Sequence, residues 1–142
     1  MNRGDVVEVD WLYTDQSGSK KRPAVVVQAD FLNGLIDDTI LVKITSQRYG
    51  IPGTEVEIDP AIETTSGLSR RCYASCKDLL TRDQTLILRT VGVLSDALMQ
   101  QIEACLKVVL EFPYTHERCE GQHSHHFLSF VALSYRLTFV AG

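Results

Sequence analysis

Val7, Val9 and Trp11 alternate with Glu8 and Asp10, the period of two expected of a strand with one buried face. The pattern predicts a first strand over residues 4–11. Residues 12–20 contain Asp15, Gln16, Ser17, Gly18 and Ser19, turn formers with little to bury, and read as a mobile loop. The rhythm then changes. Ala24-Val25-Val26-Val27 is apolar on both faces and predicts a central strand over residues 23–28, with Pro23 at the first position, where a missing N–H costs least. After a connection over residues 30–38, rich in Asp, Asn and Gly, a third strand places Ile40, Val42 and Ile44 on one face and Leu41, Lys43 and Thr45 on the other.

Gly50 to Gly53 form a turn. Val56 and Ile58 then alternate with Glu55, Glu57 and Asp59, an edge strand whose acidic side is expected to be solvated and to repel a polyanion. Residues 71–79 and 86–93 read as a fifth and a sixth strand joined through Thr81-Arg82-Asp83-Gln84, a turn or single helical turn. Ser95 is suited to cap a helix, with Asp96 in its first turn. Leu98, Ile102, Cys105 and Val109 recur at helical spacing up to residue 112, where Pro113 stops the helix. Many short strands and one closing helix predict a mainly β fold, a small, strongly curved antiparallel sheet with the helix packed against it.

A chain of 142 residues that is 44% hydrophobic can fill one modest core, which argues for one domain and against disorder. Arg3, Asp5, Glu8 and Asp10 break up any apolar leader at the start, so the expected location is cytoplasmic. The cysteines fit that compartment. Cys72 and Cys76 fall on one face of a strand, Cys105 in the helix and Cys119 in the tail, with no CxxC spacing, which reads as reduced thiols. A net charge of −4 argues against a protein that coats nucleic acid without specificity. Local basic segments remain: Lys20-Lys21-Arg22, Lys43 with Arg48, and Arg70-Arg71.

Residues 113–142 stand apart. They carry His116, His123, His125, His126 and Cys119, then the apolar stretch Phe127 to Val140 interrupted by Ser129, Ser134 and Arg136. Imidazole and thiolate can bind zinc or nickel, but no regular ligand spacing is present, and the tract reads as an accessory extension with no metal assigned. Its apolar stretch is too short and too polar to span a bilayer. An extra strand, an amphipathic helix and a partly ordered appendage all remain open.

Chemistry concentrates where the strands end. Arg22 precedes the apolar run of the second strand, and Thr45 closes the third. Arginine offers five N–H donors in a planar fork that meets a phosphate at two points, and threonine adds a hydroxyl. If the two strands lie side by side, the pair can close on one phosphate.

The order and spacing of Arg3-Gly4-Asp5-Val6-Val7, Lys21-Arg22-Pro23-Ala24-Val25-Val26-Val27, Ile44-Thr45-Ser46-Gln47 and Gly53-Thr54-Glu55-Val56-Glu57-Ile58 resemble the MazF/PemK family of toxin endoribonucleases. Ser66-Gly67-Leu68, the segment Cys72 to Asp83, and Arg89-Thr90-Val91-Gly92-Val93-Leu94-Ser95 continue the likeness, which covers residues 3 to about 112 and divides the chain into a toxin-like domain, 1–112, and an extension, 113–142. The resemblance implies the small SH3-like barrel, or strongly curved antiparallel sheet, of the CcdB/MazF toxin type. It also implies metal-independent cleavage of single-stranded RNA by attack of the ribose 2′-oxygen on its own phosphate, leaving a 2′,3′-cyclic phosphate and a 5′-hydroxyl, without a cofactor. On the matching motifs the catalytic pair is Arg22 and Thr45.

Arg22 is assigned to transition-state stabilisation and Thr45 to orienting the phosphate. No histidine lies in residues 1–112, and arginine and threonine are poor general acids and bases near pH 7, so proton transfer is the weak step. Substrate-binding expectations fall on Ser17, Gly18, Ser19, Lys20, Lys21, Lys43, Ser46 and Gln47. The implied partners are single-stranded RNA, a cognate MazE-like antitoxin whose acidic segment folds into the same groove, and a second copy of the chain in a homodimer, with no membrane. Two other readings stand beside this one: a CcdB-like, non-enzymatic poison of gyrase, and an inactive small-barrel interaction module.

Overall fold

The computed structural model describes residues 1–113. Six antiparallel strands form one sheet: β1 (Asp5–Leu12), β2 (Ser19–Val26), β3 (Asp38–Thr45), β4 (Glu55–Ile58), β5 (Cys72–Asp83) and β6 (Arg89–Val93), in the order β4-β5-β3-β2-β1-β6. A short helix, α1 (Asp30–Asn33), lies between β2 and β3, and α2 (Asp96–Val109) closes the described fold. This is the expected mainly β architecture, a curled antiparallel half-barrel with a terminal helix.

The alternation read in the sequence sorts side chains onto two sheet faces. One face supplies Val6, Val25, Val42, Ile44, Val56, Ile58, Cys72, Ala74 and Cys76, which pack with Leu94, Leu98, Met99, Ile102 and Cys105 of the α2 region. A second, smaller cluster on the other face joins Val7, Val9, Trp11, Ala24, Val26 and Leu41. Covering only one face fully with a helix leaves the far ends of the second face open for chemistry. The three described cysteines are free thiols, and Cys72 and Cys76 share the helix-covered face, as their spacing implies.

Helix α2 begins as expected. Ser95 Oγ accepts the Leu98 N–H at 3.3 Å, and Glu63 accepts both the Ser95 hydroxyl (2.7 Å) and the Ser95 N–H (3.1 Å), placing a carboxylate at the positive end of the helix dipole. The helix stops at Val109 rather than 112, because Glu111 turns left-handed at φ 56° before Pro113 is reached. Arg3 ties the start of β1 to the helix through Glu103 (2.6 Å) and also donates to the Val27 carbonyl. Residues 65–67 press onto β6 so closely that a Cβ on Gly92 would lie 2.3 Å from the Thr65 carbonyl oxygen.

Other boundaries also depart from the sequence expectation. β2 starts at Ser19, not 23, because β1 runs on to Leu12 and pairs with it through Trp11–Lys20 and Leu12–Ser19. The predicted mobile loop thus shrinks to a hairpin turn over residues 13–18, closed by Tyr13 N–H to the Gly18 carbonyl at 2.8 Å and by Asp15 Oδ1, which accepts from the Ser17 N–H (3.0 Å) and hydroxyl (2.7 Å). β5 continues to Asp83, where a 3₁₀ turn over Gln84–Leu86 leads to β6. The connection predicted at residues 30–38 folds a single helical turn, pinned by a buried network in which Gln28 Nε2 and the Thr39 hydroxyl both donate to Asn33 Oδ1, at 2.9 and 2.8 Å. The readings of His116, Cys119, His123, His125, His126 and residues 127–140 lie outside the described residues.

Candidate functional site

The register builds the site row by row. Val9 faces Arg22 across β1 and β2, Thr45 faces Tyr73 across β3 and β5, and Tyr73 faces Glu57 across β5 and β4. The β2–β3 ladder ends at Ala24–Lys43, so Arg22 and Thr45 each lie two residues past its last pair. A parallel row runs Val7, Ala24, Lys43, Ser75, Glu55. Directly opposed residues of an antiparallel pair share a face, so Arg22, Thr45, Lys43, Tyr73 and Ser75 all rise from the face not covered by α2.

Arg22 is half-buried, and its guanidinium makes no ion pair or hydrogen bond among the described residues. Lys20, two residues earlier on the same face, is exposed and likewise has no carboxylate in ion-pair range among the described residues. Two other arginines are engaged. Arg71 holds Glu57 at 3.0 Å and Asp59 at 3.1 Å, and Arg89 holds Glu8 at 3.3 Å. The Asp59 carboxyl sits below the ordinary range, through the Ala61 N–H first and the Arg71 hydrogen bond second. Arg71 is therefore a strand-edge ion-pair residue. Lys21 stands opposite Asp10 in the β1–β2 register and on the other face from Arg22, so the Lys20-Lys21-Arg22 run divides between the two faces.

Thr45 is buried at 6% exposure, and its Oγ1 accepts the Gln47 N–H at 3.2 Å, which folds the chain back at Ser46 and leaves the hydroxyl proton uncommitted. Ser46 and Gln47 are exposed beside it. Ser17 and Gly18 sit in the hairpin turn and Ser19 at the start of β2, all exposed.

Lys43 is held more tightly than its sequence position suggests. Its Nζ lies 3.2 Å from Asp78 Oδ2 and 6.0 Å from the centre of the Trp11 ring. The same oxygen accepts the Ser75 hydroxyl at 2.7 Å and Lys77 Nζ at 2.9 Å. Burial alone would raise the Asp78 carboxyl, but the hydrogen bonds from Lys77, Ser75 and Lys43 outweigh it and hold the group below the ordinary carboxylate range. Lys77 also stands 3.9 Å over the Tyr49 ring. A register shift between Val42–Leu79 and Lys43–Ser75 bulges Cys76-Lys77-Asp78 out of β5, and this aims Asp78 at Lys43. Sequence reading missed Tyr73, Ser75 and Asp78. Alternation with Cys72, Ala74 and Cys76 signals the face of Tyr73 and Ser75, whereas nothing in the sequence marks the bulge that carries Asp78.

The acidic strand needs a correction. Glu55 is not solvated: its side chain is 11% exposed and accepts the Tyr49 and Gly50 N–H groups at 3.0 and 2.9 Å. Glu57 and Asp59 are engaged by Arg71. A cleft of about 530 Å³ between α2 and β4, lined by Glu55, Glu57, Ala97, Gln101 and Cys105, contains none of the expected site residues, and its acidic rim disfavours a polyanion. Among the described residues no three His, Cys, Asp or Glu side chains gather to hold a metal ion, and no helix is long and apolar enough to cross a membrane.

An arginine fork and an uncommitted hydroxyl on one sheet face, with lysines on the same face, are the donor types that suit a phosphate. Residues 2–110 match the family model described as PemK-like, MazF-like toxin of type II toxin-antitoxin system. Among solved structures, the fold is similar to an endoribonuclease in complex with its cognate antitoxin from a mycobacterial species (TM-score 0.67, 23% identity, 81% of this chain and 99% of that one). It is also similar to a MazF toxin of Mycobacterium tuberculosis (TM-score 0.64, 18% identity, 78% and 99%) and to MazF in a MazE–MazF structure from Deinococcus radiodurans (TM-score 0.62, 18% identity, 80% and 98%). At these identities the structural likeness establishes the fold.

Proposed function

The chain belongs to the PemK-like, MazF-like toxin family of type II toxin–antitoxin systems, and from that premise we propose that it is an endoribonuclease that cuts single-stranded RNA. The observation that carries the proposal is Arg22, which presents a half-buried guanidinium, unpaired among the described residues, on the sheet face that also carries Thr45. In this reaction the nucleophile is the substrate's own 2′-oxygen. The protein's task is to hold that oxygen in line with the leaving oxygen and to stabilise charge on the phosphoryl group. Fixed donors suffice, so the reaction runs without a metal and yields a 2′,3′-cyclic phosphate and a 5′-hydroxyl.

Arg22 grips two phosphoryl oxygens and, with no histidine among residues 1–112, is the donor nearest to hand for the leaving oxygen. Thr45 donates its free proton to a phosphoryl oxygen. Lys20 and Lys43 supply positive potential beside the pair. Ser17, Gly18 and Ser19 border the substrate on the hairpin side, and Ser46 and Gln47 do so beyond Thr45. Lys21, on the far face, contributes long-range attraction only. The domain so defined spans residues 1–112, with 113–142 as an extension.

The protein is proposed to act in the cytoplasm as a homodimer, with RNA crossing the interface and an antitoxin segment, acidic and disordered when free, competing for the same groove. One incubation tests the function. A long RNA treated with the protein in EDTA should gain new ends that a kinase can label without prior phosphatase, the mark of a 5′-hydroxyl. Intact RNA together with inhibited DNA supercoiling would replace the nuclease with a gyrase poison.

A further inference from the structure

Three donors converge on one oxygen of Asp78, and one of them is a residue of the proposed phosphate site. Lys43 lies two residues before Thr45 on the same strand and face, so the two Cα atoms stand about 6.6 Å apart along the strand. A lysine ammonium on four rotatable bonds would ordinarily sweep a wide arc. Here it is confined. Asp78 Oδ2 holds it at 3.2 Å, the buried Ser75 hydroxyl fixes that oxygen at 2.7 Å, and Lys77 fixes it again at 2.9 Å. The side chains of Lys43 and Asp78 are 15% and 18% exposed, so the pair sits at the sheet surface without being freely solvated.

Building on the reading of Arg22 and Thr45 as the phosphate site, we propose that Asp78 is a positioning residue: through its Oδ2 it sets the Lys43 ammonium where it meets the phosphate next to the one held by Arg22 and Thr45. The two-residue offset along β3 makes this a neighbouring contact rather than a second hand on the same phosphate. Asp78 is not a proton carrier in this scheme, because a carboxylate held below its ordinary range by three donors is a weak base near pH 7. The cluster of Lys43, Lys77 and Asp78 carries a net charge of +1 while ordered, and of +2 once Asp78 is made neutral. Charge and order therefore respond to substitution in opposite directions, which makes the role measurable.

The test compares wild type with Asp78→Asn, first for cleavage of a long single-stranded RNA. Affinity is then measured on the same target resynthesised with a 2′-deoxyribose at the cut position, which binds without reacting. Asp78→Asn should bind at least as tightly as wild type, with a log–log salt slope steeper by about 0.7 from the added positive charge. It should nevertheless cleave bound RNA at least tenfold more slowly. A residue with a merely structural role would not split binding from turnover in this way. Ser75→Ala, which keeps every charge and removes one hydrogen bond from the same oxygen, should slow turnover several-fold with an unchanged salt slope, and it serves if Asp78→Asn fails to melt cooperatively. Turnover within twofold of wild type in a folded variant would overturn the positioning role. If wild type cleaves and Arg22→Ala does not, that failure leaves the proposed function standing. Loss of the proposed function itself would appear as wild-type protein that leaves RNA intact.

Discussion

Thr45 Oγ1 accepts the Gln47 N–H at 3.2 Å, so one lone pair of the hydroxyl is spent on the turn while its proton stays free for a ligand. The two roles separate by substitution. Thr45→Ser keeps both and should retain most cleavage. Thr45→Val keeps the branched shape on β3 but removes acceptor and donor together. Gln47 is an exposed residue whose N–H can turn to water, so Thr45→Val should fold normally and lose at least tenfold in kcat, or about 1.4 kcal/mol. Unchanged turnover with a normal melting curve would make Thr45 structural only.

Arg22→Ala should abolish detectable cleavage. Loss of a two-point charged donor from a developing phosphoryl charge removes about 3 kcal/mol or more of transition-state stabilisation. Its half-buried side chain makes no ion pair among the described residues, so truncation leaves no stranded carboxylate and the fold should survive. Arg22→Lys should restore little, because a point charge does not reproduce the fork. More than about a tenth of wild-type activity in Arg22→Ala would remove the residue from the mechanism.

The division of the basic run between two faces gives a paired expectation. Lys20→Ala should reduce the dependence of RNA affinity on salt by about 0.7 in log–log slope, the value of one phosphate contact on a single strand. Lys21→Ala, cross-strand from Asp10 on the opposite face, should change the slope by clearly less. Equal effects would mean that the RNA path does not follow the face carrying Arg22.

The period-two alternation of β1, the two-sided apolar run of β2 and the capped helix α2 were legible because each is a local pattern with one buried solution. Ser19, Lys20 and Lys21 look like loop by composition. They join β2 because β1 continues past Trp11 and offers them hydrogen bonds, a long-range effect that outweighs strand propensity. Glu55 reads as a solvated acid from alternation, yet two backbone N–H groups from the preceding turn need an acceptor, and only the folded turn brings them to it. The site divides along the same line. The expectation for Arg22 and Thr45 rested on a strand start and a strand end; Thr45 does end β3, but Arg22 lies inside β2, and Asp78 depends on a bulge in β5 that no residue pattern encodes.

Acid should weaken the Lys43–Asp78 link. A carboxyl whose pKa is lower in the folded than in the unfolded chain adds stability above its unfolded value, about 4, and loses that contribution as pH falls through the lower folded value. Asp78→Asn has no such group to protonate. The gap in melting temperature between wild type and Asp78→Asn should therefore be widest near pH 6 and narrow as pH falls below about 4. A constant gap across that range would show that the Asp78 charge is not linked to folding.

The extension offers the sharpest test of where the working protein ends. Helix α2 finishes at Val109 with Leu98, Met99, Ile102 and Cys105 already buried against the sheet, and the family match stops at residue 110. The residues assigned here to phosphate, from Ser17 to Asp78, all precede that point. A chain ending at Pro113 should thus fold, dimerise and cut RNA at a rate within about threefold of the full chain. Residues 114–142 nevertheless hold all four histidines, the side chains best suited to proton transfer near neutral pH, while the proposed mechanism uses none of them. The cleavage rate of the truncated protein as a function of pH decides between the two. A folded dimer with full activity and the same profile leaves proton transfer with Arg22 and solvent. A folded dimer that is inactive, and regains activity when the tail is restored but not when His116, His123, His125 and His126 are all replaced by Gln, would move proton transfer to the extension and reduce Arg22 to charge stabilisation alone.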